Sequence, residues 1–232
     1  MKNNNYDNER EYQRIFLTRF FINLENNHFD RFYNKNISKI ENELESLTAK
    51  KKTLFGREKS ELNLEINFLE HELFAITEMK INYAYKHFEF YLKLLIKISY
   101  DNVNGNQLFK WEFVRNYLKT RNIKIENLDN YTEINELREV NNSIKHSNNI
   151  LNDKTKKITE FKGYEKITYK QLAEFYEKRH NSSILFLKSL SNKISSDLYE
   201  FDDDKLNKIS EKFSKRMNSE TLTKFIEKLK KE

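Results

Sequence analysis

Apolar residues recur at every third or fourth position along most of the chain, which is the spacing of one face of an α-helix. A helix is predicted over residues 31–52, where charged residues separate the members of a heptad-like apolar seam. The members of that seam are Ile37, Ile40, Leu44 and Leu47. A longer helix is predicted over residues 62–98, after a turn at residues 55–57. These two helices are expected to form a long antiparallel hairpin.

The same spacing predicts further helices on both sides of the hairpin. The predicted segments are residues 9–24, a helix that begins at Trp111, a helix that begins after residue 130, a helix over residues 169–198, and two short charged helices after residue 202. Capping boxes, in which a side-chain oxygen precedes a Glu or Gln by three positions, mark two of these starts. The two boxes are Asn130 with Glu133 and Thr168 with Gln171. Residues 101–106 are predicted to form a loop.

Composition supports an all-α fold class. The 232 residues include no Pro and three Gly, the two residues that most often interrupt helices. Strand-rich folds also need these residues for tight turns. The predicted architecture is an elongated helical bundle with a long antiparallel hairpin. It divides into a hairpin or coiled-coil extension over residues 1–75, a bundle over residues 76–200 and charged C-terminal helices over residues 201–232.

Composition also excludes several classes of site. The chain has no Cys, which excludes disulfides and thiolate metal sites. It shows no apolar signal segment and no uninterrupted membrane span, so we expect a cytoplasmic protein with no membrane partner. No metal-binding or phosphate-loop motif appears, and we expect neither a metal nor a cofactor. The net charge of +6 gives weak support to a nucleic-acid partner.

Two charged clusters are interpreted as structural. The three acidic residues Asp202–Asp204 are predicted to cap the N-terminus of a helix, where the helix dipole favours negative charge. The segment Glu177–Asn181 places Arg179 next to His180, and adjacent residues diverge by about 100° on a helix. We therefore predict that this segment forms a solvated helix face.

The helix after residue 130 carries the candidate chemistry. Arg138, Asn142, Lys145 and His146 form one polar stripe, with Asn141 at its margin. The opposite side carries Leu137, Val140 and Ile144. A cation can offset the charge of a phosphorane, and an imidazole can transfer a proton without a metal, so these groups suit RNA cleavage. The alternative is an ordinary C-terminal turn, where the helix dipole and free carbonyls attract cations.

The order of segments around this helix resembles one known family. A helix with Glu-Phe-Tyr-Leu at residues 89–92, a loop, a Trp-led helix and the segment LREVNNSIKHS follow one another. Over roughly residues 76–200, this order resembles the HEPN family of helical bundles, which includes prokaryotic toxins and antiviral ribonucleases. The family motif is an Arg, usually followed by a polar residue, and a His after four to six intervening residues. The resemblance implies a four- or five-helix core, paired protomers that share one cleft, and a role in bacterial defence or a toxin–antitoxin system.

The motif is carried over with one departure. His146 matches the motif His, Asn142 matches the polar residue, and Asn141 stands where the family has its Arg. In a catalytic protein, the resemblance implies that His146 transfers the proton and that Arg138 or Lys145 stabilises the phosphate. Asn142 would then orient the ribose or the phosphate, and the product would be a 2′,3′-cyclic phosphate.

Three hypotheses about function stay open at this point. The first is a metal-independent endoribonuclease that acts on RNA. The second is a catalytically inactive assembly or sensor subunit, because Asn141 replaces the motif Arg and the long hairpin suits an interface. Its partner would be a second copy or another protein of the same system. The third is a helical protein that binds nucleic acid without chemistry.

Overall fold

The computed structural model describes Tyr12, Phe16 and residues 28–100, 103–147 and 150–231. Within these residues the chain is helical and has no strand, apart from one isolated antiparallel bridge between Ile150 and Lys166. The all-α prediction is confirmed. The helices are α1 (His28–Lys51), α2 (Gly56–Ser99), α3 (Trp111–Thr120), α4 (Tyr131–Ser147), α5 (Tyr169–Arg179), α6 (Ser182–Tyr199), α7 (Asp203–Ser214) and α8 (Ser219–Lys231).

Short 3₁₀ turns connect several of these helices. They are Gly105–Gln107, Ile125–Asn127, Thr155–Lys157 and Thr159–Phe161. The helix predicted over residues 9–24 lies outside the described residues, except for Tyr12 and Phe16. The predicted divisions at residues 75/76 and 200/201, and the elongated shape, stay predictions. α2 runs through the first of these divisions without interruption.

α1 packs against α2 after a short connection. Gly56 begins α2 with a φ of +62°, a left-handed conformation that costs Gly little. The hydroxyls of Tyr33 and Thr77 lie 3.2 Å apart, which places the start of α1 beside the middle of α2. The two helices are therefore antiparallel. Leu44 of the predicted apolar seam and Leu69 of α2 are buried within the chain.

α2 also packs against α4, α5 and α6, and these helices enclose a shared core. The rings of Phe88 in α2 and Phe186 in α6 meet edge to face, with their centroids 5.6 Å apart. The rings of Phe161 and Phe175 also pack together, with their centroids 5.4 Å apart. All four rings are buried, and aromatic pairs stabilise a core beyond the area that they bury. This packing holds α4, the helix with the candidate chemistry, among α2, α5 and α6.

The predicted helix starts are found where expected. The Thr168–Gln171 capping box is complete, because the Thr168 hydroxyl accepts from the backbone N–H of Gln171 and the Gln171 side chain accepts from that of Thr168. α4 begins at Tyr131, directly after the second predicted box. Asn130 has a φ of +60°, however, and lacks the extended backbone that is typical of a capping residue.

One helix prediction is wrong. The helix predicted over residues 169–198 is divided at His180 and Asn181 into α5 and α6. The Nδ1 atom of His180 lies 2.7 Å from the carbonyl oxygen of Glu177. In an uninterrupted helix that carbonyl would accept from the backbone N–H of Asn181. A side-chain contact at the end of α5 thus accompanies the break, and helical periodicity alone does not reveal it.

α7 and α8 form a C-terminal helical pair, and neither helix contains a buried residue. The rings of Phe213 and Phe225 join the two helices, with centroids 5.1 Å apart. The Asp202 carboxylate accepts from the backbone N–H of Lys205 at 2.8 Å, which confirms the predicted helix cap. This pair follows α6, whose Asp197 accepts a hydrogen bond of 2.8 Å from Tyr100 at the end of α2.

None of the described helices combines the length and the apolar content that crossing a membrane requires.

Candidate functional site

α4 has the buried and exposed sides that the sequence predicts. Leu137, Val140 and Ile144 are buried, whereas Asn142 and Lys145 are exposed. The backbone of His146 belongs to the last turn of α4, but its side chain lies outside the described residues. The structure therefore brings Asn142 and Lys145 to one exposed side of the helix.

Asn141 lies in a different place from the one expected. It was predicted at the margin of the polar stripe, yet its side chain is 1% exposed, and its neighbour Ser143 is also buried. The cause is packing from several directions, because α2, α5, α6 and two of the 3₁₀ turns all contact α4. The Oδ1 atom of Asn141 is buried and has no hydrogen-bond partner among the residues that the structure describes. The position that the resemblance assigns to the motif Arg therefore lies in the interior of the bundle.

Arg138 is held within its own helix. Its Nη2 atom donates to Oε1 of Glu139 at 2.6 Å and to Oδ1 of Asn135 at 3.0 Å. Its guanidinium carbon lies 5.7 Å from the ring centroid of Trp111, and its side chain is 22% exposed. Lys154 also reaches Glu139, at 3.4 Å. The charge of Arg138 is therefore offset by a neighbouring carboxylate that a second cation shares.

A groove of about 390 Å³ lies between the first half of α4 and residues 154–158. Its walls include Glu136, Arg138 and Glu139 from α4, with Lys154 and Lys157 from the opposite side. The groove carries both signs of charge and does not include Asn142 or Lys145. Arg138 and Lys145 are seven residues apart, or about 10 Å along the axis of α4. The structure therefore does not bring all the predicted site residues into one groove.

Arg179 lies at the centre of a cluster of charged side chains, and its burial differs from the prediction. The segment 177–181 was predicted to be a solvated face, and His180 is indeed exposed, but Arg179 is buried. Its Nε atom donates to Oε2 of Glu136 at 2.7 Å, and its Nη1 atom donates to Oε1 of Glu160 at 3.1 Å. Its guanidinium also lies 4.3 Å from the ring centroid of Phe175. Arg179 thereby joins α5 to α4 and to the 3₁₀ turn at residues 159–161.

The charges in this cluster stabilise one another. Burial acts to raise the pKa of Glu160, but hydrogen bonds from Arg179, the backbone and Lys178 outweigh it, so the pKa of Glu160 is lowered. Burial acts to lower the pKa of Arg179, but its hydrogen bonds to Glu160 and Glu136 outweigh that effect, and its pKa is raised. Both groups are therefore charged in the folded protein at neutral pH. This arrangement suits a structural ion pair.

Lys80 is a second buried cation that sequence analysis did not identify. Its ammonium lies 4.0 Å from the ring centroid of Tyr33 and 4.3 Å from that of Tyr176. It donates to Glu177 at 3.0 Å and lies 3.7 Å from Asp30. The cation therefore connects α2 to α1 and α5 from between two aromatic rings.

A sequence signal for both buried cations was present. Lys80 falls three and seven positions after Thr77 and Leu73, and Arg179 falls four and seven positions after Phe175 and Leu172. These spacings place each cation on the apolar side of its helix. Among the described residues, no three His, Cys, Asp or Glu side chains come together as they would to hold a metal ion.

The chain was compared with models of protein families, with curated proteins and with solved structures. None of the three comparisons finds a match.

Proposed function

We propose that this chain is a HEPN-like component of a bacterial defence or toxin–antitoxin system and that it acts as a catalytically inactive assembly or sensor subunit. The observation that supports this proposal is the burial of Asn141, the residue that takes the place of the motif Arg. A neutral, buried amide can neither supply the charge of a guanidinium nor reach a phosphate in solvent. Arg138, the nearest alternative cation on α4, is paired with Glu139.

The C-terminal helical pair supplies a surface for a protein partner. Leu206, Ile226 and Leu229 are exposed apolar side chains on this pair. Residues 203–231 contain nine Lys or Arg and five Asp or Glu, so the pair carries a net positive charge. A partner with an apolar surface and acidic margins would fit this pair, because such a surface buries the apolar side chains and pairs with the cations.

The test compares variants in cells that carry the chain together with its neighbouring genes. The double variant Ile226→Asn/Leu229→Asn replaces exposed apolar groups without adding charge and should abolish phage defence or toxin control. Glu227→Asn, an exposed change about 100° from Ile226 and about 160° from Leu229 around α8, is the control and should behave as wild type. His146→Ala should also leave defence intact. Loss of defence in His146→Ala, with the double variant still active, would contradict the proposal.

A second candidate function is the metal-independent endoribonuclease. The observation that favours it is the exposure of Asn142 and Lys145 on the side of α4 that the sequence assigned to the polar stripe. In this version Lys145 supplies the cation, and His146 transfers the proton. RNA ending in a 2′,3′-cyclic phosphate should then appear with wild type and should disappear with His146→Ala or Lys145→Ala. Intact RNA in the presence of the physiological partners would exclude this second candidate.

A further inference from the structure

The side of α2 that faces away from the bundle carries exposed side chains at regular intervals. At its centre Met79 is 54% exposed, and Phe68 and Phe90, each eleven residues away, are 68% and 58% exposed. These three apolar side chains lie on one side of the helix, so a single partner helix that runs along α2 would cover all of them. We refer to the exposed positions between residues 61 and 97 on this side as the outer seam of α2.

Charge is distributed unequally along the outer seam. Its N-terminal half contains Glu61, Glu65 and Glu72, all exposed. Its C-terminal half contains Lys86 and Lys97, both exposed, and Lys93, which is half-buried. Successive seam positions are three, four or seven residues apart, which keeps them on one side of the helix. One half of the seam is therefore acidic and the other half is basic.

The seam is complementary to itself when it is read in the opposite direction. Each Glu has a Lys at the same distance on the other side of Met79: Glu61 with Lys97, Glu65 with Lys93, and Glu72 with Lys86. Phe68 and Phe90 are related in the same way. In an antiparallel pair of α2 helices with a two-fold axis at Met79, every acidic position would face a basic position. Phe68 of each copy would face Phe90 of the other.

We propose that the outer seam of α2 binds a second copy of this chain in this antiparallel, two-fold arrangement. A two-fold interface uses the same surface on both copies. Because the seam is complementary to itself, each charge of one copy then faces an opposite charge of the other. In a parallel arrangement, acidic positions would face acidic positions and basic positions would face basic ones. This repulsion disfavours the parallel arrangement. The inference is independent of the HEPN-like assignment, because it uses only the exposure and charge of α2.

The existing contacts of the seam residues do not oppose this interface. Glu61 pairs with Arg57 at 2.8 Å, and Lys93 pairs with Glu89 at 3.6 Å, both within α2. Ion pairs between residues four positions apart on an exposed helix contribute well under about 1 kcal/mol, so they can exchange partners at little cost. The seam spans 37 residues, or about 55 Å, which is long enough for an interface of the usual size.

The protein's own C-terminal helical pair cannot cover the acidic half of the seam. The contact of Tyr100 with Asp197 fixes the preceding helix, α6, at the C-terminal end of α2. Phe68 lies 32 residues from Tyr100, which is about 48 Å along α2. α8 has 13 residues and is about 20 Å long. The pair is too short to reach from its attachment to the acidic half, which favours a second molecule.

Charge reversal tests the interface. One variant carries Glu61→Lys, Glu65→Lys and Glu72→Lys, and a second carries Lys86→Glu, Lys93→Glu and Lys97→Glu. Wild type should sediment as a dimer, and each variant alone should self-associate at least ~100-fold more weakly, because attractive contacts become repulsive. An equimolar mixture of the two variants should restore the dimer, since the reversed halves are complementary. Circular dichroism confirms that each variant remains helical.

Single cysteines test the register, because the natural chain has none. Met79→Cys should form a disulfide-linked dimer under mild oxidation, whereas Leu185→Cys, an exposed control on α6, should not. Phe68→Cys alone should not cross-link, since two copies of that position would lie about 33 Å apart in the dimer. A mixture of Phe68→Cys and Phe90→Cys should cross-link.

Several results would overturn the proposal. A monomeric wild type whose Met79→Cys variant does not cross-link would exclude a second copy as the partner of the seam. Dimers that survive either charge reversal would place the interface elsewhere. A mixture that fails to restore association would exclude the antiparallel register.

Discussion

The Nη2 atom of Arg138 donates to Oε1 of Glu139 across 2.6 Å, so this cation of α4 is paired with its neighbour in sequence. Lys154 approaches the same oxygen to 3.4 Å. A guanidinium in this arrangement would have to break an ion pair before it could hold a phosphate. Asn141 is neutral and buried, and Arg138 is paired, so neither position offers an unpaired cation to a phosphate.

The burial of Asn141 predicts that an Arg at this position will harm the fold. Asn141→Arg places a larger, charged group among packed helices and should lower the free energy of unfolding by about 3 kcal/mol or more. The matched control is Asn142→Arg, which changes an exposed residue of the same type and should stay within about 0.5 kcal/mol of wild type. Urea unfolding followed by circular dichroism measures both. Equal stability of the two variants would contradict the assigned burial.

Removal of the Arg179 guanidinium should destabilise the bundle strongly. Arg179→Met leaves Glu160 as a buried carboxylate without its main partner, and loss of one member of a buried pair costs about 3–5 kcal/mol. Lys178→Met is the control, because Lys178 also approaches Glu160, at 3.2 Å, but is half exposed. It should cost much less than Arg179→Met, because ion pairs of exposed groups are screened by solvent. Similar losses in both variants would show that the buried pair has no special role.

The lowered pKa of Glu160 predicts a pH dependence of stability. Because burial is outweighed by the hydrogen bonds of Arg179, the folded pKa lies below the ordinary value of 4.5. The ionised group therefore stabilises the fold above that value, and the stabilisation is lost as pH falls through the folded pKa. The stability difference between wild type and Glu160→Gln should be largest near neutral pH and should shrink below about pH 4.5. A difference that does not change with pH would contradict this assignment.

Lys80 should matter for the attachment of α1 to the bundle. Lys80→Ala removes the cation and the alkyl chain from between Tyr33 and Tyr176 and should cost about 2–4 kcal/mol. Lys80→Met keeps an alkyl chain between the rings and should lose less than half as much. Lys59→Ala, an exposed change on the same helix and outside the outer seam, serves as the control and should stay within about 0.5 kcal/mol of wild type. Thermal unfolding of the three variants separates these outcomes.

Helical periodicity predicted much of the fold for a physical reason. Apolar spacing reports which side of each helix is buried, and the near absence of Gly and Pro leaves few alternatives to helix. The hairpin partners α1 and α2, the start of α5 and the Asp202 cap follow from such local signals. The break at His180 does not, because a side-chain contact with a backbone carbonyl leaves no trace in the periodicity.

The candidate site was harder to predict, because burial there depends on several neighbouring elements. Spacing alone placed Asn141 at the margin of the polar stripe, while contacts from α2, α5, α6 and the 3₁₀ turns bury it. Arg179 was predicted to be solvated, and Lys80 was not predicted to be buried. The reason is that charged residues are seldom buried unless they are paired. Their partners Glu160 and Asp30 are distant in sequence, and only the tertiary fold brings them together.

The measurement that most directly tests the central claim is RNA cleavage by the wild-type protein together with its physiological partners. End-labelled RNA would be incubated with wild type, His146→Ala and Lys145→Ala, and its termini would be examined for 2′,3′-cyclic phosphate. An inactive assembly subunit predicts intact RNA with all three proteins, while the Ile226→Asn/Leu229→Asn variant loses defence in cells. Cyclic-phosphate products that appear with wild type and vanish with His146→Ala would contradict the account.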